Sequence, residues 1–106
     1  MVLYLEVLLH GRHLQFENMV WTDSSGTIYN NPRFHIPRKW IEFDEKFWYN
    51  HDIKPYFWDD ICSKKDAIEV CSSFRSAFPQ TCFFGNFVQW LEYWIEIENT
   101  TFITNY

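Results

Sequence analysis

The side chains of this 106-residue chain that can do chemistry are four histidines, three cysteines and fourteen carboxylates. His10 and His13 lie three apart across His10-Gly11-Arg12-His13, with Glu6 upstream and His35 and His51 further on. Two neutral imidazoles at that spacing on a turn supply half of a zinc or copper site. No cysteine pair and no HExxH run supplies the other half, so the two histidines read first as polar residues flanking a turn. Cys62, Cys71 and Cys82 show no CxxC spacing, and an odd number cannot all pair internally. A catalytic thiol needs a depressed pKa and an orienting base such as His35 or His51, yet Cys71 falls on the apolar face of a helical pattern. Asp44-Glu45 and Asp59-Asp60 are adjacent carboxylates. Neighbours on a strand point to opposite faces, so neither pair is set as an acid–base dyad. Three scattered glycines leave no phosphate-cradling loop. The chemistry-bearing residues thus name no catalytic group, no metal site and no cofactor, and the chain reads as a non-enzyme.

Two stretches carry binding chemistry instead. Residues 82–98 are the densest aromatic run, with three carboxylates and no lysine or arginine. If 87–98 is extended, alternation puts Trp90, Glu92, Trp94, Glu96 and Glu98 on one face, with Phe87, Leu91, Ile95 and Ile97 on the other. Indoles beside carboxylates are interface chemistry: aromatic anchors for affinity, acidic groups to steer a basic partner. The second stretch is Arg33-Phe34-His35-Ile36-Pro37-Arg38-Lys39-Trp40, the one basic segment interleaved with aromatics. Arg33, His35, Arg38, Lys39 and Trp40 are the residues that would hold a single-stranded nucleic acid by stacking and phosphate contact.

The elements that must position these residues follow from periodicity. Val2–Leu9 is β-rich and nearly all apolar, which suits a central strand covered on both faces. Val20–Thr22 and Thr27–Tyr29 flank a polar turn ending in Gly26, a hairpin signal. Residues 33–37 lie between prolines and read as extended or looped. Residues 40–44 lean to strand, although Trp40, Phe43, Phe47 and Trp48 also fit a helix. Lys54-Pro55 opens a short helical turn through Trp58. The spacing predicts a helix from about Lys64 to Phe78: Ser63 and Asp66 form a capping box, Ala67, Val70, Cys71, Phe74 and Phe78 share one face, and Pro79 stops it. Thr81–Phe84 reads as a strand. For 87–98 a helical pattern (Phe84, Phe87, Val88, Leu91, Trp94, Ile95) competes with the extended one, and scarce alanine with abundant Trp, Tyr and Ile tips the reading to strand. Residues 101–104 close the chain as a last strand. The fold class is α+β: a mainly antiparallel sheet with one principal amphipathic helix, about 64–78, packed on one face of a single small domain spanning 1–106.

Aromatic residues make up 22% of the chain, more than a modest core hides, and exposed rings mark contact sites. The net charge of −5 disfavours bulk nucleic-acid binding, which needs phosphate neutralisation. The N-terminal apolar run is short, lacks a basic leader and is interrupted by Glu6, so it reads as a strand rather than an export signal. No run approaches the roughly 20 apolar residues of a membrane span. These features place the protein in the cytoplasm with free thiols. The leading expectation is a protein-binding module that inhibits or caps a protein partner, one that is basic or handles nucleic acid. Toxin-immunity proteins and phage-encoded inhibitors of host defence share its size, charge and composition, an analogy with no motif behind it. Self-association into a homodimer is a second use of the same aromatic surface. The alternatives are a small metal-dependent enzyme using His10, His13 and His35, and a single-strand binder using Arg33–Trp40.

Overall fold

The computed structural model describes residues 2–78 and 84–106. Everything is hung on β1 (Tyr4–Leu9), whose alternation sends Leu5, Val7 and Leu9 to the core and Tyr4, Glu6 and Leu8 to the opposite face. Strand β7 (Thr100–Asn105) pairs with all six of its residues, from Tyr4↔Asn105 to Leu9↔Thr100. A strand has two edges, so the other edge of β1 is shared. There β6 (Arg33–His35) takes Tyr4 to Glu6, and β2 (Arg12–His13) takes Leu8 and Leu9. A second sheet is built from β3 (Gln15–Glu17), β4 (Val20–Thr22) and β5 (Ile28–Tyr29). Every described pairing is antiparallel, and with the helices this makes the fold α+β. The expectation of cover on both faces of β1 is corrected: Tyr4 and Leu8 stay half-exposed because the helices all lie against the Leu5–Val7–Leu9 side.

The turns explain the registers. His10-Gly11 and Asn18-Met19 are two-residue hairpin loops with both φ angles positive, 53° and 71°, then 49° and 68°. That geometry matches the twist of the flanking strands. The longer loop between β4 and β5 is organised by Asp23, whose Oδ1 accepts from the Ser25 and Thr27 backbone N–H groups and from the Ser25 hydroxyl. Its Oδ2 accepts from the Tyr29 hydroxyl at 2.9 Å. These donors, the Ser25 hydroxyl first, pull the Asp23 carboxyl from 3.8 down to about 2.

Four α-helices follow among the described residues. Helices α1 (Arg38–Glu42) and α2 (Glu45–Asn50) replace the strand expected over 40–44. Phe43 breaks the chain with extended angles, and Asp44 then caps the restart by accepting from the Phe47 N–H at 2.9 Å. The two short helices let Trp40, Phe43 and Trp48 all pack on the core, whereas on one strand Phe43 would face away from the two tryptophans. A 3₁₀ turn occupies Phe57–Asp60. Helix α3 (Lys64–Ala77) matches its expected span, with the Ser63–Asp66 capping box formed in both directions. Helix α4 (Gly85–Ile95) overturns the strand expected over 87–98. Phe84, Phe87, Val88, Leu91 and Trp94 are all buried at i, i+3, i+4, i+7 and i+10, and tertiary burial of that stripe outweighs the β-propensity of its residues. Of the strand expected over 81–84, only Phe84 lies within the described residues.

The core between sheet and helices is mostly rings. Phe87 touches Phe34 of β6, Trp40 of α1, Phe57 of the 3₁₀ turn and Phe74 of α3, with centroids 5.1 to 5.9 Å away. Two predictions follow from the turns. Met19→Gly relieves a left-handed penalty of about 1–2 kcal/mol, less the extra backbone entropy of glycine, and raises the unfolding free energy by about 0.5–1 kcal/mol; Met19→Val lowers it, both read by denaturant titration. The depressed folded pKa of Asp23 means that its stabilisation is complete above about pH 4 and is lost as pH falls through about 2. Asp66, lowered by the Cys62 and Ser63 N–H groups, acts in the same direction. Asp23→Asn is therefore expected to flatten the acid limb of the stability profile between pH 4 and 2.

Candidate functional site

Because 85–95 is a helix, the residues expected to share one acidic-aromatic face are separated. At about 100° per residue, Trp90 and Trp94 lie on one side and Glu92 and Glu96 about 160° away. Trp94 is fully buried, stacked on Tyr29 at 5.8 Å, and its indole N–H has no hydrogen-bond partner. Trp90 is mostly buried and donates its N–H to the Asn31 carbonyl at 2.8 Å. Glu92 pairs with Arg75 of α3. Only Glu96 and Glu98, with Tyr93 nearby, remain outward without an ion-pair partner among the described residues. The two indoles serve the core.

The basic-aromatic stretch divides as well. Trp40 is buried at the bottom of the core, whereas Arg38 and Lys39 are exposed on α1. Arg33 and His35 lie on the outer face of the main sheet, beside Glu6 and Tyr4 in register. The three histidines expected as metal ligands are not brought together. His13 is opposite Leu8 and His35 opposite Tyr4, four residues or roughly 13 Å apart along β1. Among the described residues no three His, Cys, Asp or Glu side chains are clustered to hold a metal. Cys62 and Cys71 are free thiols, and burial, aided by the Glu92 charge, pushes Cys71 up to about 11, far from a reactive thiolate.

Sequence reasoning passed over the residue with the most demanding environment. Glu6 sits on the outer face of β1, yet only 2% of it is exposed. Its Oε2 accepts from His13 Nδ1 at 2.5 Å, its Oε1 from the Asn105 amide at 3.2 Å, and Arg33 Nε lies 3.7 Å away. Against an ionised carboxylate, which only accepts, the imidazole donates through Nδ1. The signal was the lone charge inside an apolar strand. A carboxylate-oriented imidazole is general-base geometry, and His13 lines a cavity of about 590 Å³ with Tyr29 and Ser25. The Ser25 and Tyr29 hydroxyls, however, both donate to Asp23 rather than to the imidazole, so no nucleophile–base relay is formed.

A second surface joins residues far apart in sequence. Asp52, Asp60, Asp66 and Glu69 line a cleft of about 260 Å³ whose floor is Ile53, Phe57, Val70 and Phe74. Lys54 is the one cation in its lining and bonds Asp60 at 2.9 Å, which raises its pKa. Beside it Tyr106 donates to Asp59, and that bond holds the phenol up to about 12. Tyr49, Tyr56 and Tyr106 are all exposed: none is in the cleft's lining, but Tyr106 bonds Asp59, Tyr56 directly precedes Phe57 of the lining, and Tyr49 lies within electrostatic reach of Lys54. Tyr56 is held left-handed at φ 57° while 49% exposed, a conformation uncommon for a bulky residue. The pair Asp59-Asp60 was visible in the sequence as solvated charge; its tyrosine neighbours come from tertiary contact. No family model matches the chain, and no curated protein or solved structure matches it.

The burial of α4 predicts how its residues respond to substitution. Trp94→Ala costs about 3–5 kcal/mol of stability, Trp94→Phe much less because it also removes the unpaired donor. Glu96→Lys changes stability by about 0.5 kcal/mol or less. Thermal and denaturant unfolding of the three variants check this ordering.

Proposed function

We propose that this protein is a binding module that caps a basic protein partner through the acidic, tyrosine-rimmed cleft between the 52–60 segment and α3. The observation that carries the reading is the cleft's composition: an apolar floor beneath four carboxylates with a single, already paired cation. A lysine or arginine side chain of a partner fits such a cleft, laying its aliphatic stem on Ile53 and Val70 and its charge among the carboxylates. Tyrosines at the rim supply rigid amphipathic contact area at low entropic cost. Charge distribution supports the same direction. Residues 41–106 carry eleven Asp/Glu against five Lys/Arg, while residues 1–40 carry three against four. Such a field steers a basic partner to the helical side and speeds encounter.

This mode is that of an inhibitor or immunity-type protein, which acts by covering a surface rather than by chemistry. Free thiols at Cys62 and Cys71 suit a reducing, cytoplasmic setting. Among the described residues no helix is long and apolar enough to cross a membrane. The test is retention of partners from the native source on wild-type protein and on the double variant Asp60→Lys/Glu69→Lys. The retained protein is expected to be basic, to be released by 0.5 M salt and to be lost at least tenfold on the double variant, whose folding is checked by circular dichroism. A partner held equally by both proteins, or one indifferent to salt, refutes the assignment.

A further inference from the structure

A row of ring and cation contacts that the core does not use runs from the outer face of the main sheet onto the β3–β4 hairpin of the second sheet, the Arg33–Trp21 contact joining the two. Phe16 lies against Trp21 at 5.0 Å, the Arg33 guanidinium sits 5.1 Å from Trp21 and 5.4 Å from Tyr4, and Tyr4 lies 5.5 Å from His35. The register explains the row. Phe16 is opposite Trp21, while His35 and Arg33 are opposite Tyr4 and Glu6, and directly opposed residues share a face. Phe16 is 55% exposed, Arg33 and His35 are exposed, and Trp21 and Tyr4 are half-exposed. Glu6 is the sole acidic residue in the four strands of this sheet, and it is buried under His13, Asn105 and Arg33. Exposed on these strands are Arg12, His13, Arg33 and His35, beside Thr101 and Ile103 of β7; on the hairpin strands Glu17, next to Phe16 in β3, is the one exposed carboxylate. Arg38 and Lys39, exposed at the start of α1, follow His35 by three and four residues in the chain.

We infer that this face binds single-stranded nucleic acid, with bases stacked along Phe16, Trp21, Tyr4 and His35 and phosphates met by Arg33 and Arg38. Base–aromatic stacking on a sheet tolerates any sequence because every base has a π-face, and interleaved arginines add cation–π and phosphate contact. The net charge of −5 argued against such binding for the chain as a whole. The acidic excess belongs to residues 41–106, however, and its exposed carboxylates are not on these strands. A strand rather than a duplex is the occupant, because stacking on this row needs bases that are unpaired.

The probe is a twelve-residue oligothymidylate, with tryptophan fluorescence as the readout. Binding at low salt is expected to quench the emission. Two or three phosphate contacts at about 0.7 each set a log–log salt slope between about −1.4 and −2.1. Phe16→Ala, an exposed ring whose loss leaves the core alone, is expected to weaken binding at least fivefold, and Arg38→Gln to make the slope shallower. Arg33→Gln is expected to weaken binding further, with circular dichroism confirming that Glu6 remains housed. Three results overturn the proposal: no binding at low salt, binding untouched by Phe16→Ala and Arg33→Gln, or equal binding of the matching duplex or of polyphosphate. The cleft residues Asp60 and Glu69 take no part, so the double variant made to test protein capping is expected to bind the oligonucleotide as well as the wild type does.

Discussion

The ring of Phe87 is the contact on which the rest of this structure depends, because four other segments reach the core by touching it. A strand, a short helix, a 3₁₀ turn and the long helix α3 each place one aromatic side chain against it, through Phe34, Trp40, Phe57 and Phe74. Aromatic pairs prefer edge-to-face or offset contact, and three of these four are steep or edge-on. That preference restricts how each segment approaches, so the rings set the angles between elements as well as filling volume. With only Ala67 and Ala77 in the chain, close backbone approach is rare, and large rings bridge the gaps instead.

That core dictates the surface. Each helix turns its rings inward, leaving carboxylates, tyrosine hydroxyls and serines outside. Trp94 goes so far as to bury its N–H without a partner, a cost of about 1–3 kcal/mol that its packing must offset. The sheet is the opposite case. One face is spent on the helices, and the other is open and polar, with Glu6 enclosed by the side chains it holds in place. A buried carboxylate is tolerated only when its partners are well placed, so Glu6 orders His13, Asn105 and Arg33 around itself. The acidic helical side and the cation-bearing sheet side therefore present unlike chemistry.

Much of the local structure was legible. The Ser63–Asp66 box and the Ala67–Phe74 stripe define α3, the apolar run defines β1, and β-formers around Ser25-Gly26 define the β4–β5 hairpin, because in each case propensity, pattern and capping agree. They disagree in α4. Phe87, Trp90, Tyr93, Trp94 and Ile95 favour strands by propensity, while Phe84, Phe87, Leu91 and Trp94 fit a helix by spacing. The expected acidic-aromatic face rested on the strand reading, and Trp94 and Glu96 share a strand face but not a helix face. Of the basic-aromatic set, Arg33, His35, Arg38 and Lys39 are exposed and Trp40 is buried.

By itself the sequence determined composition, charge and every element whose signals are local: α3, β1, the hairpin, the closing strand and the α+β class. These are settled within a dozen residues, by capping, alternation and turn geometry. Tertiary structure alone decided which rings are buried, because Trp40, Trp90 and Trp94 are sheltered by residues 30 or more positions away. It also decided that Glu6 meets Asn105 across the paired ends of β1 and β7, and that Tyr106 reaches Asp59. The physical reason is that burial and ion pairing act through space and carry no local periodicity, so the same indole reads as an anchor or as core until its neighbours are known.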